Sequence, residues 1–188
     1  MTTTAERAAA PLLIRRLRAE EVESVGRLAR DAYAADYRLA PEYLDEIEAV
    51  GDRDGEHEVW VAENVVTGEL LGTVTTPREG VRLSGVAVHD DELDFRFLGV
   101  AGSARGRGVG EAMVRHVLAL AAERGLRRVV LNTGTQMRGA QRLYERMGFE
   151  RIPERDFAFD RSDGVRIVIL AYGIDVAPAT ARAGIAAG

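Results

Sequence analysis

Short runs in which apolar and polar residues alternate, and longer runs with apolar residues every three to four positions, divide the chain into strands and helices. Leu12–Leu17 is a strand candidate. Ala19–Ala35 places Val22, Val25, Leu28, Ala29, Ala32 and Tyr33 on one helical face, with Glu20 and Glu21 in the first turn, where the helix dipole favours acids. A second helix is predicted over Pro41–Val50, with proline at its first position, and Gly51–Glu56 (GDRDGE) reads as a loop. Glu58–Glu63 and Glu69–Thr76 flank a turn at Thr67-Gly68 and read as an antiparallel pair. Pro77–Gly80 is another loop, Val81–Val88 a strand or an extended insert, and Asp90-Asp91 closes it. Arg127–Thr133, Phe149–Ile152 and Val165–Ile174 complete the strands, the last two joined by a polar turn at Asp160–Gly164. The order specifies a single-domain α/β fold with a mixed central sheet flanked by helices. Its expected extent is 12–175, preceded by a flexible leader over 1–11 and followed by a disordered Ala/Gly/Pro tail over 176–188.

One stretch organises the rest. Leu93–Gly110 (LDFRFLGVAGSARGRGVG) runs from an apolar strand through a turn into alternating Arg and Gly. A helix follows, with Val109, Met113, Val114, Val117, Leu118 and Ala121 at helical spacing. A strand, a glycine-rich loop and a helix N-terminus in that order make an anion cradle, because the first helical amides lack intrahelical partners. Arg105 and Arg107 add fixed positive charge suited to a phosphate. A Walker loop would need Gly-Lys-Ser/Thr, but Glu111 and Ala112 follow Gly110. A dinucleotide fingerprint would need G-x-G-x-x-G and an acid closing the next strand; here the spacing is G-x-G-x-G and that strand ends in Asn132-Thr133. The run Arg105 to Gly110 matches Gln/Arg-x-x-Gly-x-Gly/Ala instead.

That loop, with Leu98-x-Val100 before it and Ala140-Gln141-Arg142-Leu143-Tyr144-Glu145-Arg146-Met147-Gly148-Phe149 after it, resembles the GCN5-related N-acetyltransferases over most of the chain. The resemblance implies that family's fold, with a mostly antiparallel sheet, and acetyl-CoA (coenzyme A) as cofactor. It implies cofactor contacts from Leu98, Val100, Arg105, Gly106, Arg107, Gly108, Val109, Gly110 and Asn132. It places Tyr144 as the acid at the departing thiolate and the Val100 amide at the thioester oxygen. By periodicity alone, Tyr144 also fits an ordinary core tyrosine. Asp94 stands where some members carry the carboxylate that deprotonates the amine; on its own it equally suits a solvent-facing strand residue or a partner for Arg96. Two departures stand out: Met137 replaces a frequent asparagine, and Gly102 a frequent proline.

Composition narrows the picture further. A net charge of −5 disfavours a general nucleic-acid role, and no apolar run is long enough to span a membrane. The absence of cysteine excludes disulfides, thiolate metal sites and a thiol-linked acyl-enzyme, and permits a cytoplasmic address, the default expectation. His57, His89 and His116 lack metal-ligand spacing, so no metal is expected. Ten acidic residues against two arginines between Asp31 and Glu58 suggest an acidic mouth. Asp31, Tyr33 and Tyr37 are its candidate acceptor-binding residues, with Tyr43 walling the same pocket. The expected partner is a small-molecule amine, preferably cationic, with a homodimer left open. A non-catalytic acyl-CoA-binding domain and a small nucleotide-binding module are the competing readings.

Overall fold

The computed structural model describes residues 11–161 and 163–177. The expected leader and tail, apart from Pro11, Val176 and Ala177, lie outside the described residues. Eight strands form one sheet: β1 (Leu12–Arg16), β2 (Glu58–Asn64), β3 (Leu70–Thr76), β4 (Glu92–Val100), β5 (Arg128–Gly134), β6 (Glu150–Arg151), β7 (Phe157–Asp160) and β8 (Arg166–Asp175). The spatial order is β1-β2-β3-β4-β5-β8, with β6 and β7 sharing the outer edge of β8. Only β4 and β5 run parallel, and α4 (Val109–Glu123) supplies the crossover between them.

The two faces bury different sets of residues. Leu93 and Phe95 of β4, Val129 and Leu131 of β5 and Tyr172 of β8 meet Val109, Met113, Val114, Val117 and Ala121 of α4 in the main core. Tyr144 of α5 (Arg138–Arg146) closes the same cluster. The opposite face is covered by α1 (Val22–Asp36), α2 (Pro41–Glu48) and α3 (Val50–Glu56), with Val25, Ala29, Ile47, Val50, Val59 and Val61 buried between.

Two expectations change, and one open alternative resolves. Gly51–Glu56, a loop by composition, is the body of α3, because Val50 and Arg53 are buried. Arg53 donates to the Glu46 and Ile47 carbonyls at the end of α2, satisfying acceptors the helix leaves open. Tertiary burial overrides turn propensity here. Residues 81–91 are the extended insert rather than a strand. A strand not expected from sequence, β7, forms a hairpin with β8 through the polar turn at Asp160–Gly164.

The α1–α2 crossing is close enough that a Cβ built on Gly26 would stand 2.6 Å from the Glu48 carbonyl oxygen. Alanine exceeds glycine in helix propensity by about 1 kcal/mol, but overpacking of this kind costs about 1–3 kcal/mol. Gly26→Ala is therefore expected to lower the urea midpoint with an unchanged m-value; a raised midpoint would show that the crossing yields freely.

Candidate active site

The site begins with a defect in β4. Against β3, Thr73 faces Gly99 and Thr75 faces Arg96, so Phe97 and Leu98 together oppose Val74. This is a β-bulge, and Phe97 takes φ 56° in the left-handed region. Such a conformation costs a side-chain-bearing residue roughly 1–2 kcal/mol. The Arg53 and Arg96 guanidinium groups lie 4.2 and 4.4 Å from the Phe97 ring centroid. Cation–π contacts are worth about 0.5–1 kcal/mol each, and more when desolvated, enough to offset the strain. Burial draws Arg53 down to about 10, which leaves it charged at neutral pH.

Parallel pairing of β4 with β5 ends at Phe95 opposite Leu131, just before the bulge. Beyond it the strands part around a small cavity lined by Leu98, Asn132, Ala140, Tyr144, Tyr33 and Tyr37. The Ala101 amide donates to the Leu71 carbonyl at 2.9 Å. Backbone alternation therefore aims the Val100 amide, and that of Leu98 two residues earlier, away from β3 and into the split. The Asn132 Nδ2 and Thr133 Oγ1 atoms are buried there without a hydrogen-bond partner among the described residues. Buried polar atoms left in this way point to a ligand that completes them.

The cradle abuts the split. Gly106 and Gly108 have φ 71° and 80°, conformations that favour glycine, and Gly108 caps α4. The Gly106, Gly108, Val109 and Gly110 amides find no backbone acceptor among the described residues. A Cβ on Gly110 would sit 3.5 Å from Val100 and 3.3 Å from Leu143, so this turn is packed against both β4 and α5. Arg105 is held by Asp36 at 2.6 Å and by the Ala32 carbonyl at 3.1 Å, which ties the loop to α1 and balances its charge. Among the described residues Arg107 meets only the Ser103 carbonyl, at 3.5 Å. The loop thus offers free amides and one uncompensated guanidinium, a set that fits a diphosphate.

Tyr144 is 5% exposed, with its ring edge-on to Phe95, and its hydroxyl makes no hydrogen bond among the described residues. Burial, reinforced by the Tyr37 and Tyr43 phenols, pushes its ionisation well above the ordinary tyrosine value. A phenol in this state is a persistent hydrogen-bond donor at physiological pH.

A second cavity of about 700 Å³ opens beside the split, on the α1–α2 face. Tyr33 and Tyr43 line it, Tyr37 lines only the smaller cavity, and Tyr33, Asn132 and Thr133 line both. The acidic mouth, however, disperses. Asp31 is exposed and lines neither cavity, Asp36 belongs to Arg105, and Asp45 pairs with Arg30 at 2.7 Å. Of the acids between Asp31 and Glu58, only Glu42 and Glu46 reach the cavity. Asp94 does not reach it either. Its carboxylate is fully buried and accepts the Leu83 amide at 3.2 Å and the Ser84 hydroxyl at 2.7 Å. Its contact with the cavity is indirect, through Ser84. Glu92, two residues earlier on β4, likewise accepts the Val88 and His89 amides and Arg155. Burial alone would raise its carboxyl, but those donors outweigh it and hold it below the usual range.

Other lining residues carry no motif: Arg38, Ser84, Arg96, Arg155, Phe157 and Phe159. The alternation Phe157-Ala-Phe159 before a polar turn was the one sequence signal for that wall.

A bulged strand splitting from its parallel neighbour above a helix-capping glycine loop is the architecture of an acyl-CoA N-acyltransferase. The profile of the Acetyltransferase (GNAT) family matches residues 22–149, and the chain belongs to that family. Among curated relatives, N-acetyltransferase 8F1 of Rattus norvegicus is 36% identical over 117 residues, covering 60% of this chain and 49% of that protein. Glucosamine 6-phosphate N-acetyltransferase 1 of Oryza sativa subsp. japonica is 34% identical over 108 residues, covering 56% and 59%. The chain thus spans about half the length of the curated relatives it matches. The fold is shared with the ribosomal-protein-S18-alanine N-acetyltransferase of Escherichia coli, at TM-score 0.63, 17% identity and coverage of 92% and 98%. It is also shared with a GNAT-family acetyltransferase of Desulfovibrio desulfuricans, at TM-score 0.68, 17% identity and coverage of 89% and 100%.

Two outcomes follow from these environments. Asp94→Asn keeps an acceptor for the Leu83 amide and is expected to hold kcat within about tenfold, whereas removing a general base costs 10²–10⁴ (order of magnitude); a hundredfold loss would return Asp94 to the proton-transfer role. All five tyrosines have phenols raised from their ordinary value, burial being the largest cause in each. In the unfolded chain they ionise near pH 10, about the ordinary value. Their contribution to stability is intact below that pH and lost as pH rises through the higher folded values. Tyrosinate absorbance should therefore appear together with loss of ellipticity above about pH 10; tyrosines titrating earlier, with ellipticity intact, would contradict this burial.

Proposed function

We propose that this chain is an acetyl-CoA-dependent N-acetyltransferase in which a primary amine attacks the thioester directly within a ternary complex. The observation that carries the reading is the meeting, at one split in the sheet, of unpartnered donors suited to both ends of that reaction: the Val100 amide and the Tyr144 hydroxyl, beside the free amides of the 106–110 loop. The fit to coenzyme A rests on this chain's own residues. The loop amides and Arg107 would hold the diphosphate, and the exposed β4 edge with Asn132 would hold the arm beyond it. Acetyl-CoA, when bound, supplies an acetyl group activated as a thioester.

The residues then divide the work. The Val100 amide donates to the carbonyl oxygen, where negative charge grows as the amine nitrogen bonds the carbon, and fixed donors of this kind are typically the largest catalytic contribution. Tyr144 donates to the sulfur as the carbon–sulfur bond breaks. Because its phenol is raised further above a thiol of pKa about 8.5, outright transfer of its proton is uphill. Tyr144 therefore stabilises the thiolate by hydrogen bonding, and the proton the sulfur finally keeps is the one released by the amine. The larger cavity receives and orients that amine.

Tyr144→Phe is expected to lower kcat for thiol release by about a hundredfold, while calorimetric CoA affinity stays within about twofold, since the ring packing on Phe95 is kept. An unchanged kcat would remove Tyr144 from the chemistry.

A further inference from the structure

The lining of the larger cavity is not the acidic one expected from the segment before β2. Four guanidinium groups line it, Arg38, Arg96, Arg155 and Arg161, against two carboxylates, Glu42 and Glu46. Two of the four are taken: Arg161 is paired through two nitrogens with Asp163, and Arg96 lies 3.4 Å from Glu46 and 4.4 Å from the Phe97 ring centroid. The other two keep donors to spare. Arg38 makes no ion pair or hydrogen bond among the described residues. Arg155 uses only Nη1, toward Glu92 at 2.9 Å and the Val86 carbonyl at 3.1 Å. Its Nε and Nη2, the edge of the fork that takes a carboxylate side-on, have no acceptor among the described residues and are not sealed from solvent. Glu92, which balances Arg155, is 1% exposed and does not line the cavity. A molecule in the cavity therefore meets the guanidinium and not its counter-ion. Phe157, Phe159, Ile167 and Ile169 give the same cavity an apolar wall.

We infer that the acceptor amine carries a carboxylate, bound by Arg155 and Arg38, and an apolar substituent that rests on the β7–β8 wall: a substrate of the apolar amino-acid class rather than a polyamine. This rests on the N-acetyltransferase reading for its chemistry, but the anion site stands on the cavity alone. Arg38 and the Nε–Nη2 edge of Arg155 are not explained by folding, since Arg38 holds nothing among the described residues and Arg155 needs only one nitrogen to hold Glu92. A cationic acceptor would enter against them.

The test uses the full chain with acetyl-CoA and measures thiol release for phenylalanine, phenylalaninamide, phenethylamine, O-phosphoethanolamine and spermidine. A carboxylate held by charged hydrogen bonds is expected to raise kcat/KM for phenylalanine at least about tenfold over its amide and over phenethylamine. Arg38→Gln and Arg155→Gln should erase that preference through KM; Arg38 is exposed, so its variant folds even where loss of Arg155 disturbs Glu92. Equal rates, or a preference for phenethylamine or spermidine, would overturn the inference, and turnover of O-phosphoethanolamine above phenylalanine would overturn the carboxylate assignment. Calorimetry on the CoA-loaded protein reads the same preference without turnover. 3-Phenylpropionate is expected to bind at least about tenfold more tightly than phenethylamine, and equal or weaker binding would overturn the anion site. Retained acid binding with no acetyl transfer to any amine would uphold the anion site and sink the transferase reading instead.

Discussion

The ring of Phe97 between two guanidinium groups is the contact on which the rest of the molecule depends. It holds one residue of β4 in a left-handed conformation, and three features follow from that one residue. Arg96 and Phe97, neighbours in sequence, both face the acceptor cavity, as the bulge dictates. Pairing with β5 stops, so Val100 keeps a free amide that a continuous ladder would have used. The split then stands directly over the loop that caps α4. A straight β4 would bury the same apolar residues and have no site.

The second organising device is a pair of carboxylates on the same strand. Glu92 and Asp94 point into the α1–α2 side of the sheet, are almost wholly buried, and are satisfied mainly by the insert between β3 and β4. Their satisfaction by amides, a hydroxyl and Arg155 is what makes burial of charge tolerable there. By gripping residues 83–89 they turn a segment without regular structure into a cavity wall. Asp94 thereby shapes the larger cavity from one layer behind it.

Much of this was readable from residues alone, for physical reasons. The helices announced themselves because α1 and α4 each bury one stripe, and the cradle because glycines with arginines before an amphipathic run have few other uses. Strands β2, β3 and β5 carried clear apolar patterns. What stayed hidden depends on contacts distant in sequence. The helix at Val50–Glu56 exists because Arg53 reaches back to α2 and onto Phe97. The acceptor cavity draws on α2, the insert, the bulge, the turn at Arg155 and β7, so no local pattern marks it. The acidic segment misled because charge counted along the chain says nothing of direction; Asp36 and Asp45 turn out to serve arginines.

The edge strand β7 has one neighbour, β8, and both of its phenylalanines remain about half exposed, at 51% and 47%. This wall of the larger cavity is therefore built from the most peripheral part of the sheet, whereas the glycine-rich loop is rooted in the packed α4 core. Exchanges at Phe157 or Phe159 disturb little beyond their own contacts, so the lining of the larger cavity can change while the loop and the split stay untouched. Innovation in such a protein is confined by its architecture to the rim.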